Sequence, residues 1–216
     1  MPAMRSLSPP SSPAALRADA ARNRERIVAA ATEVFAERGL DASTAEIAER
    51  AGVGEATLFR RFPSKDDLID AIVEARMEEV IELAEKAAQD HDPARGLERF
   101  MHAVTESFSN DVGFFEAAAE RCVTDPRFHG HRRRTLEAMG ELLRRAQDAG
   151  AVREDLSPQD LSFLIGAASY SVTVPLPGLR DDLWKRYLGV ILDGMRPEAA
   201  TRLRPAAPAR RLVEGA

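Results

Sequence analysis

Ile27, Ala30, Ala31, Val34 and Phe35 recur at intervals of three and four, the spacing that lines up side chains on one face of a helix, and the stripe stops at Gly39. Glycine accepts a positive φ without a Cβ clash, so the spacing predicts a first helix over about Ala20 to Arg38. Thr44 is placed to cap a short second helix carrying Ile47, Ala48 and Ala51. Gly52-Val53-Gly54 breaks it, and Glu55 to Arg61 resume helical composition. Ser64-Lys65-Asp66-Asp67 has the form of a capping box with Asp in the third helical position. It opens a long helix through Leu68, Ile69, Ile72, Val73, Val80, Ile81 and Ala84 to about Gln89.

Beyond Pro93, Leu97, Phe100, Met101, Val104 and Phe108 form one stripe, and Leu136, Met139, Leu142, Leu143 and Ala146 form another that Gly150 closes. Gly113 to Phe128 between them is less regular. Ser157-Pro158 supplies an N-cap with proline in the first helical position, ahead of Leu161, Leu164, Ile165, Ala168 and Val172, and Pro175 and Pro177 end that helix. A last helix from about Arg180 puts Trp184, Tyr187, Leu188, Ile191 and Met195 on one face. No stretch alternates strictly between turn signals as a half-buried strand does, so the fold class is all-α. Residues 1–18, rich in Ser and Pro, read as a flexible arm, and 197–216 as a flexible tail.

With 44% hydrophobic and 30% charged residues, the 216-residue chain has the makeup of a globular domain. Nowhere do roughly 18 uncharged apolar residues run together as in a spanning helix, and Met1 to Arg17 has only a short Ala-Ala-Leu patch where a signal peptide needs roughly 7 to 15, so a cytoplasmic protein without membrane attachment is expected. A single cysteine, Cys122, excludes an internal disulfide and a thiolate zinc cluster. The net charge of −5 argues against a uniformly basic nucleic-acid binder. It is unevenly spread: residues 1–65 hold ten Lys/Arg and eight Asp/Glu (10 − 8 = +2), and residues 66–216 hold twenty and twenty-seven (20 − 27 = −7). A basic patch must therefore be local.

The two short helices and their glycine turn have the layout of a helix-turn-helix, whose second helix enters the DNA major groove. The same layout occurs in all-α proteins that never meet DNA. Here Ile47, Ala48, Val53 and Leu58 can pack onto the Val34/Phe35 stripe, leaving Glu55, Thr57, Arg60, Arg61 and Lys65 to face outward. Arginine engages guanine O6/N7 bidentately, threonine meets a thymine methyl or a phosphate, and a lysine opening a helix joins free backbone N–H groups in holding a phosphate. An ordinary solvated face is the other use of these cations.

Thr44 through Leu68, reading TAEIAERAGVGEATLFRRFPSKDDL, resembles the DNA-binding segment of TetR-family repressors, and the likeness extends over about Arg24 to Ile72. The resemblance implies an N-terminal three-helix helix-turn-helix DNA-binding domain at 19–66 and a C-terminal helical domain at 67–196 for effector binding and dimerisation. It implies a homodimer bound to double-stranded, palindromic operator DNA and released by a small molecule. Thr44 and Lys65 would contact phosphates, and Glu55, Ala56, Thr57, Arg60 and Arg61 would lie in or beside the major groove. Phe59 stands where the family usually has tyrosine, which removes a hydroxyl-to-phosphate hydrogen bond, and Ala45 stands where some members carry a base-reading arginine. These departures keep a second reading open, a helical ligand-binding or interaction module with little operator affinity.

An effector that is in part hydrophobic would be walled by Phe100, Met101, Val104, Phe108, Phe114, Phe115, Leu136, Met139 and Leu143, with Tyr170 and Arg121 as polar contacts. Such stripes also serve simply as core. Phe163, Ala167, Tyr170, Trp184, Tyr187, Leu188 and Ile191 exceed what one-sided helices need and are the expected dimer interface; a monomer folding all of them inward is the alternative. His129, His131 and Asp125 lie beside Arg132 to Arg134, charges that repel a cation, so no metal site is expected. Cys122 next to Arg121 would be either an oxidant-sensing thiolate or an inert packed thiol. No phosphate loop, nucleophile elbow or carboxylate pair points to an enzyme or a cofactor.

Overall fold

A computed structural model describes residues 13–109, 121–122, 124–170 and 182–205. Among these every regular element is helical: α1 (Pro13–Arg38), α2 (Thr44–Ala51), α3 (Glu55–Arg61), α4 (Lys65–Ala87), α5 (Pro93–Ser109), α6 (His129–Asp148), α7 (Pro158–Tyr170) and α8 (Leu183–Gly194), with short 3-10 turns at Pro126–Phe128 and Pro197–Ala199. None is long and apolar enough to cross a membrane.

The helix ends show why the local sequence folds as it does. Gly39 and Gly52 take φ of 73° and 63°, the left-handed cap that a side chain resists, after α1 and α2. α1 starts at Pro13 rather than near Ala20, so part of the stretch expected to be a flexible arm is helical. Ser43, not Thr44, caps α2: its hydroxyl accepts from the Glu46 N–H while the Glu46 carboxylate accepts from the Ser43 N–H. Thr44 becomes the first helical residue. Ser64 and Asp67 form the expected capping box on α4, at 3.1 and 2.9 Å, and Ser157 with Asp160 forms another ahead of α7.

Two apolar cores share α4. Its first half contributes Leu68, Ile69, Ile72, Val73 and Met77 to a cluster with Ile27, Ala31, Val34 and Phe35 of α1, Ile47 and Ala48 of α2, and Leu58 of α3. Its second half contributes Val80 and Ala84 to a cluster with Leu97, Phe100, Met101 and Val104 of α5, Met139, Leu142 and Leu143 of α6, Leu161 and Ile165 of α7, and Trp184 and Leu188 of α8. At 23 residues, α4 is a rod roughly 34 Å long joining the two. Phe128, far along the chain, is buried in the first core with Cys122 packed beside it, so the segment before α6 reaches across to the N-terminal helices.

The C-terminal stretch departs from a flexible tail as far as it is described. Arg153, nearly fully buried, donates to the Thr201 and Gly194 carbonyls and to Asp155, and Asp155 accepts from the Leu203 N–H at 3.2 Å. This clasp ties residues 201–203 to the loop between α6 and α7.

Candidate nucleic-acid interface

The α2–α3 turn is built by backbone bonds around Gly52, the residue of the turn that takes a positive φ. The Gly52 N–H donates to the Glu49 carbonyl and the Val53 N–H to the Ala48 carbonyl, each at 3.0 Å, ending α2; Gly54 is extended, and its carbonyl accepts from Thr57 and Leu58 to start α3. Arg26 of α1 completes the turn. Its Nη2 donates to the Ala51 carbonyl at 2.5 Å, satisfying one of the acceptors that a helix end leaves free. Sequence reasoning missed Arg26 because its partner lies 25 residues away. The Ser43-x-x-Glu46 box was visible in the sequence and is what fixes the start of α2.

Leu58 and Phe62 anchor α3 in the core at 1% and 3% exposure. Glu55, Ala56, Arg60 and Arg61 are exposed, Phe59 is 43% exposed, and Thr57 is half-buried. The nearby cations divide into two groups. Arg50 is held by Glu37 and Glu33 of α1 at 2.8 and 3.2 Å, and its guanidinium lowers the Glu37 pKa. Arg24 lies over the Phe62 ring and near Glu74. Arg60 and Arg61, by contrast, have no acidic partner among the described residues. Lys65 sits at the start of α4 with its ammonium 5.6 Å from the Phe35 ring centroid, so its stem is held while its charge has no ion-pair partner among the described residues. Thr44, half-buried, begins α2. Seven residues thus present two unpaired guanidiniums, an aromatic and a threonine on a short rod anchored from behind.

A sequence profile described as bacterial regulatory proteins, tetR family, matches residues 27–72, and one described as the C-terminal domain of SbtR-like transcriptional regulators matches 92–197. A TetR transcription regulatory protein of Mycobacterium vanbaalenii, of known crystal structure, is 34% identical over 84% of this chain and 99% of that one, with a TM-score of 0.64. The chain belongs to the TetR family of transcriptional regulators. A TetR transcriptional regulator from Streptomyces coelicolor is 27% identical, with a TM-score of 0.61 over 81% of this chain and 98% of that one. The HTH-type transcriptional repressor KstR2 of Rhodococcus jostii is 28% identical over 80% of this chain and 90% of that protein. Membership in this family makes the protein a DNA-binding transcriptional regulator rather than an enzyme, with α2–α3 as its helix-turn-helix.

In the second domain the structure redistributes several expected roles. Phe100, Met101, Val104, Met139 and Leu143 are buried together, with Phe108 and Leu136 half-buried. Phe114 and Phe115 lie outside the described residues. Tyr170 is 58% exposed, on the outside of α7 rather than in a pocket wall, and Arg121 pairs with Asp66 and Asp70 of α4 instead of lining one. Of the expected interface residues, Trp184 and Leu188 fill the protomer's own core and Ile191 packs against it, whereas Phe163, Ala167, Tyr170 and Tyr187 are exposed. Val190, 64% exposed, joins that outer face. Burial raises the pKa of the Cys122 thiol, the Arg132 charge opposing this only in part, so the thiol stays protonated. Asp125 caps the turn at Pro126 and pairs with Arg127 at 2.6 Å, which leaves it committed to a cation of the protein.

Proposed function

We propose that the protein is a homodimeric repressor that lays α3 into the major groove of each half of a palindromic operator and is released by a small, partly hydrophobic effector. The observation that carries this reading is the pair of exposed, uncompensated guanidiniums of Arg60 and Arg61 on a helix whose other side is locked by Leu58 and Phe62. In the unbound protein such charges gain nothing from neighbours; against a duplex they gain phosphate or guanine contacts. Glu55, Ala56, Thr57 and Phe59 meet the same groove, and Thr44 and Lys65 meet the flanking phosphates. Phe59 can offer a thymine methyl an apolar contact but no hydrogen bond.

The reading requires a dimer, because operator half-sites recur about 34 to 36 Å apart and two recognition helices must meet them at that spacing. Phe163, Ala167, Tyr170, Tyr187 and Val190 supply an exposed apolar face on α7 and α8 for the twofold contact. The α4 rod joins the DNA-facing unit to the effector domain, so a ligand among α4 to α7 changes the spacing of the two α3 helices and selects against the bound form. The site of action is the cytoplasm, where the operator is.

The test is binding of fluorescent duplexes selected from a random pool by the full-length protein. A regulator of this kind protects an inverted repeat, and its affinity falls steeply with salt, by a log–log slope of about −0.9 per phosphate neutralised. Arg60→Ala with Arg61→Ala lowers affinity by roughly 100-fold or more, at about 1–3 kcal/mol per arginine contact. Weak, unsaturating binding that ignores these substitutions refutes the reading in favour of a module with little operator affinity.

A further inference from the structure

Thr32, Thr135 and Ser169 sit inside helices, and each turns its hydroxyl back onto the carbonyl four residues earlier, at 3.0, 2.9 and 2.9 Å. Thr105 of α5 does not. It is fully buried, and its Oγ1 has no hydrogen-bond partner among the described residues. Ser109, one turn further along the same helix, also has a solvent-inaccessible Oγ without a partner among the described residues. Residues four apart share a helix face, so the two hydroxyls lie in one row. Ser107, between them in sequence but on another face, is satisfied by Arg76 and Glu79 of α4 at 2.9 and 3.3 Å.

A buried hydroxyl without a partner has lost its water and gained nothing in return, and native structures rarely keep one without a use. Two in a row form a polar seam on one face of α5 with no partner for their protons among the described residues. The rest of that face is apolar: Met101 lies one turn before Thr105, and Val104 and Phe108 flank the row within the C-terminal core. Arg76, the cation adjoining this helix, is already paired with Glu79 at 2.9 Å. A carboxylate brought here would face two neutral hydroxyls and, in the adjoining turn of α4, a cation already paired, which disfavours it against a neutral group.

We propose that Thr105 and Ser109 form the polar anchor of the ligand site, donating hydrogen bonds to a carbonyl or hydroxyl oxygen of an otherwise apolar, uncharged molecule. This rests on the reading of the C-terminal domain as an effector domain and specifies what that effector carries.

The probes are 2-decanone and decanoate, alike in chain length and different in charge, titrated into the full-length protein. The single tryptophan, Trp184, reports binding, since its ring meets His102 of α5 edge-on at 5.9 Å. The expected result is saturable binding of 2-decanone, tighter than that of decanoate, and at least roughly tenfold weaker binding of 2-decanone to the Thr105→Val, Ser109→Ala double variant, at about 1 kcal/mol per lost hydrogen bond. Ligand-free Thr105→Val is expected to melt no lower than the parent, and about 2–4 °C higher if the methyl fills the place of the unpaired hydroxyl. The proposal is overturned if 2-decanone does not bind the parent, if decanoate binds more tightly, if the double variant binds 2-decanone equally well, or if Thr105→Val melts several degrees lower. A selected duplex separates the two ideas. Hydroxyl-dependent binding of 2-decanone that leaves duplex affinity unchanged refutes the effector reading and keeps the anchor; release of parent and double variant alike keeps the effector reading and refutes the anchor.

Discussion

Arg121 places its Nη1 3.0 Å from Oδ1 of Asp70, a carboxylate 51 residues earlier in the chain, in the second turn of α4. The same guanidinium reaches Asp66, and Arg127 closes on the other Asp70 oxygen at 2.7 Å. Asp70 is 7% exposed, so it depends on these two cations for its partners, whereas the arginines retain access to water. With Phe128 buried beside it, this pairing fastens the segment before α6 to the base of the DNA-facing unit.

The asymmetry in exposure gives an order of effects. Asp70→Asn leaves both arginines without their shared counter-charge and is expected to cost about 2 kcal/mol, or roughly 4–8 °C in melting temperature. Arg121→Gln leaves Arg127 in place and is expected to cost about half as much. Thermal melting of both variants checks the order; a larger loss for Arg121→Gln contradicts the clamp.

The glycines of the α2–α3 turn are not equivalent. Gly52 has φ of 63°, and a Cβ there would lie 3.0 Å from Nη2 of Arg26, the group that caps α2. Gly54 has φ of −74° and open space around the Cβ position. Gly52→Ala is therefore expected to cost about 1–2 kcal/mol and Gly54→Ala less than about 1 kcal/mol, as read by urea denaturation. Equal costs would show that the left-handed cap is not what requires glycine.

The proposed dimer contact is the exposed apolar face of α7 and α8, and added charge tests it. Phe163→Glu combined with Val190→Glu puts carboxylates at sites 71% and 64% exposed in the protomer, so folding is expected to be unchanged while the dimer separates. Sedimentation would show a monomer of 23.6 kDa, with operator affinity reduced by 100-fold or more, on the order of the 3 kcal/mol or greater loss expected when one half-site is given up. A double variant that stays dimeric removes this face from consideration.

The clasp on the C-terminal stretch has a predictable pH dependence. Hydrogen bonding from Arg153, then from the Leu203 N–H, lowers the Asp155 pKa from 3.8 to about 2. Because the folded value lies below the unfolded one, the stabilisation is complete above about pH 4 and is lost as pH falls through about 2. Asp155→Asn should release residues 200–205 to protease at neutral pH and abolish the difference in cleavage between pH 7 and pH 2.5 measured with an acid-tolerant protease. Unchanged cleavage of the variant at neutral pH argues against the clasp.

How much of this was legible without coordinates depends on the range of the interaction. Caps, glycine stops and three- to four-residue spacing act within a turn or two, so the C-terminal end of α1, the span of α3, the start of α4 and the anchoring of Leu58 followed directly from neighbouring residues. The start of α2 was misplaced by one residue because Ser43 and Thr44 are both good capping types; the Glu46 three residues after Ser43, which makes the reciprocal bond, is the signal that separates them. The row of Thr105 and Ser109 was hidden because an unpaired hydroxyl looks, in sequence, like any helical Thr or Ser.

The amino-acid sequence by itself determined an all-helical chain and a short rod of outward cations behind a glycine turn, since local hydrogen bonding and periodicity are set by residues close together in the chain. Tertiary structure decided which apolar residues face inward. On α8 it buries Trp184 and Leu188 and leaves Tyr187 and Val190 outside, a choice between two hydrophobic sides that depends on which helix packs against each. It likewise decided that Arg121 serves Asp70 and that Arg26 caps α2, because partners tens of residues apart meet only when packing brings their helices together.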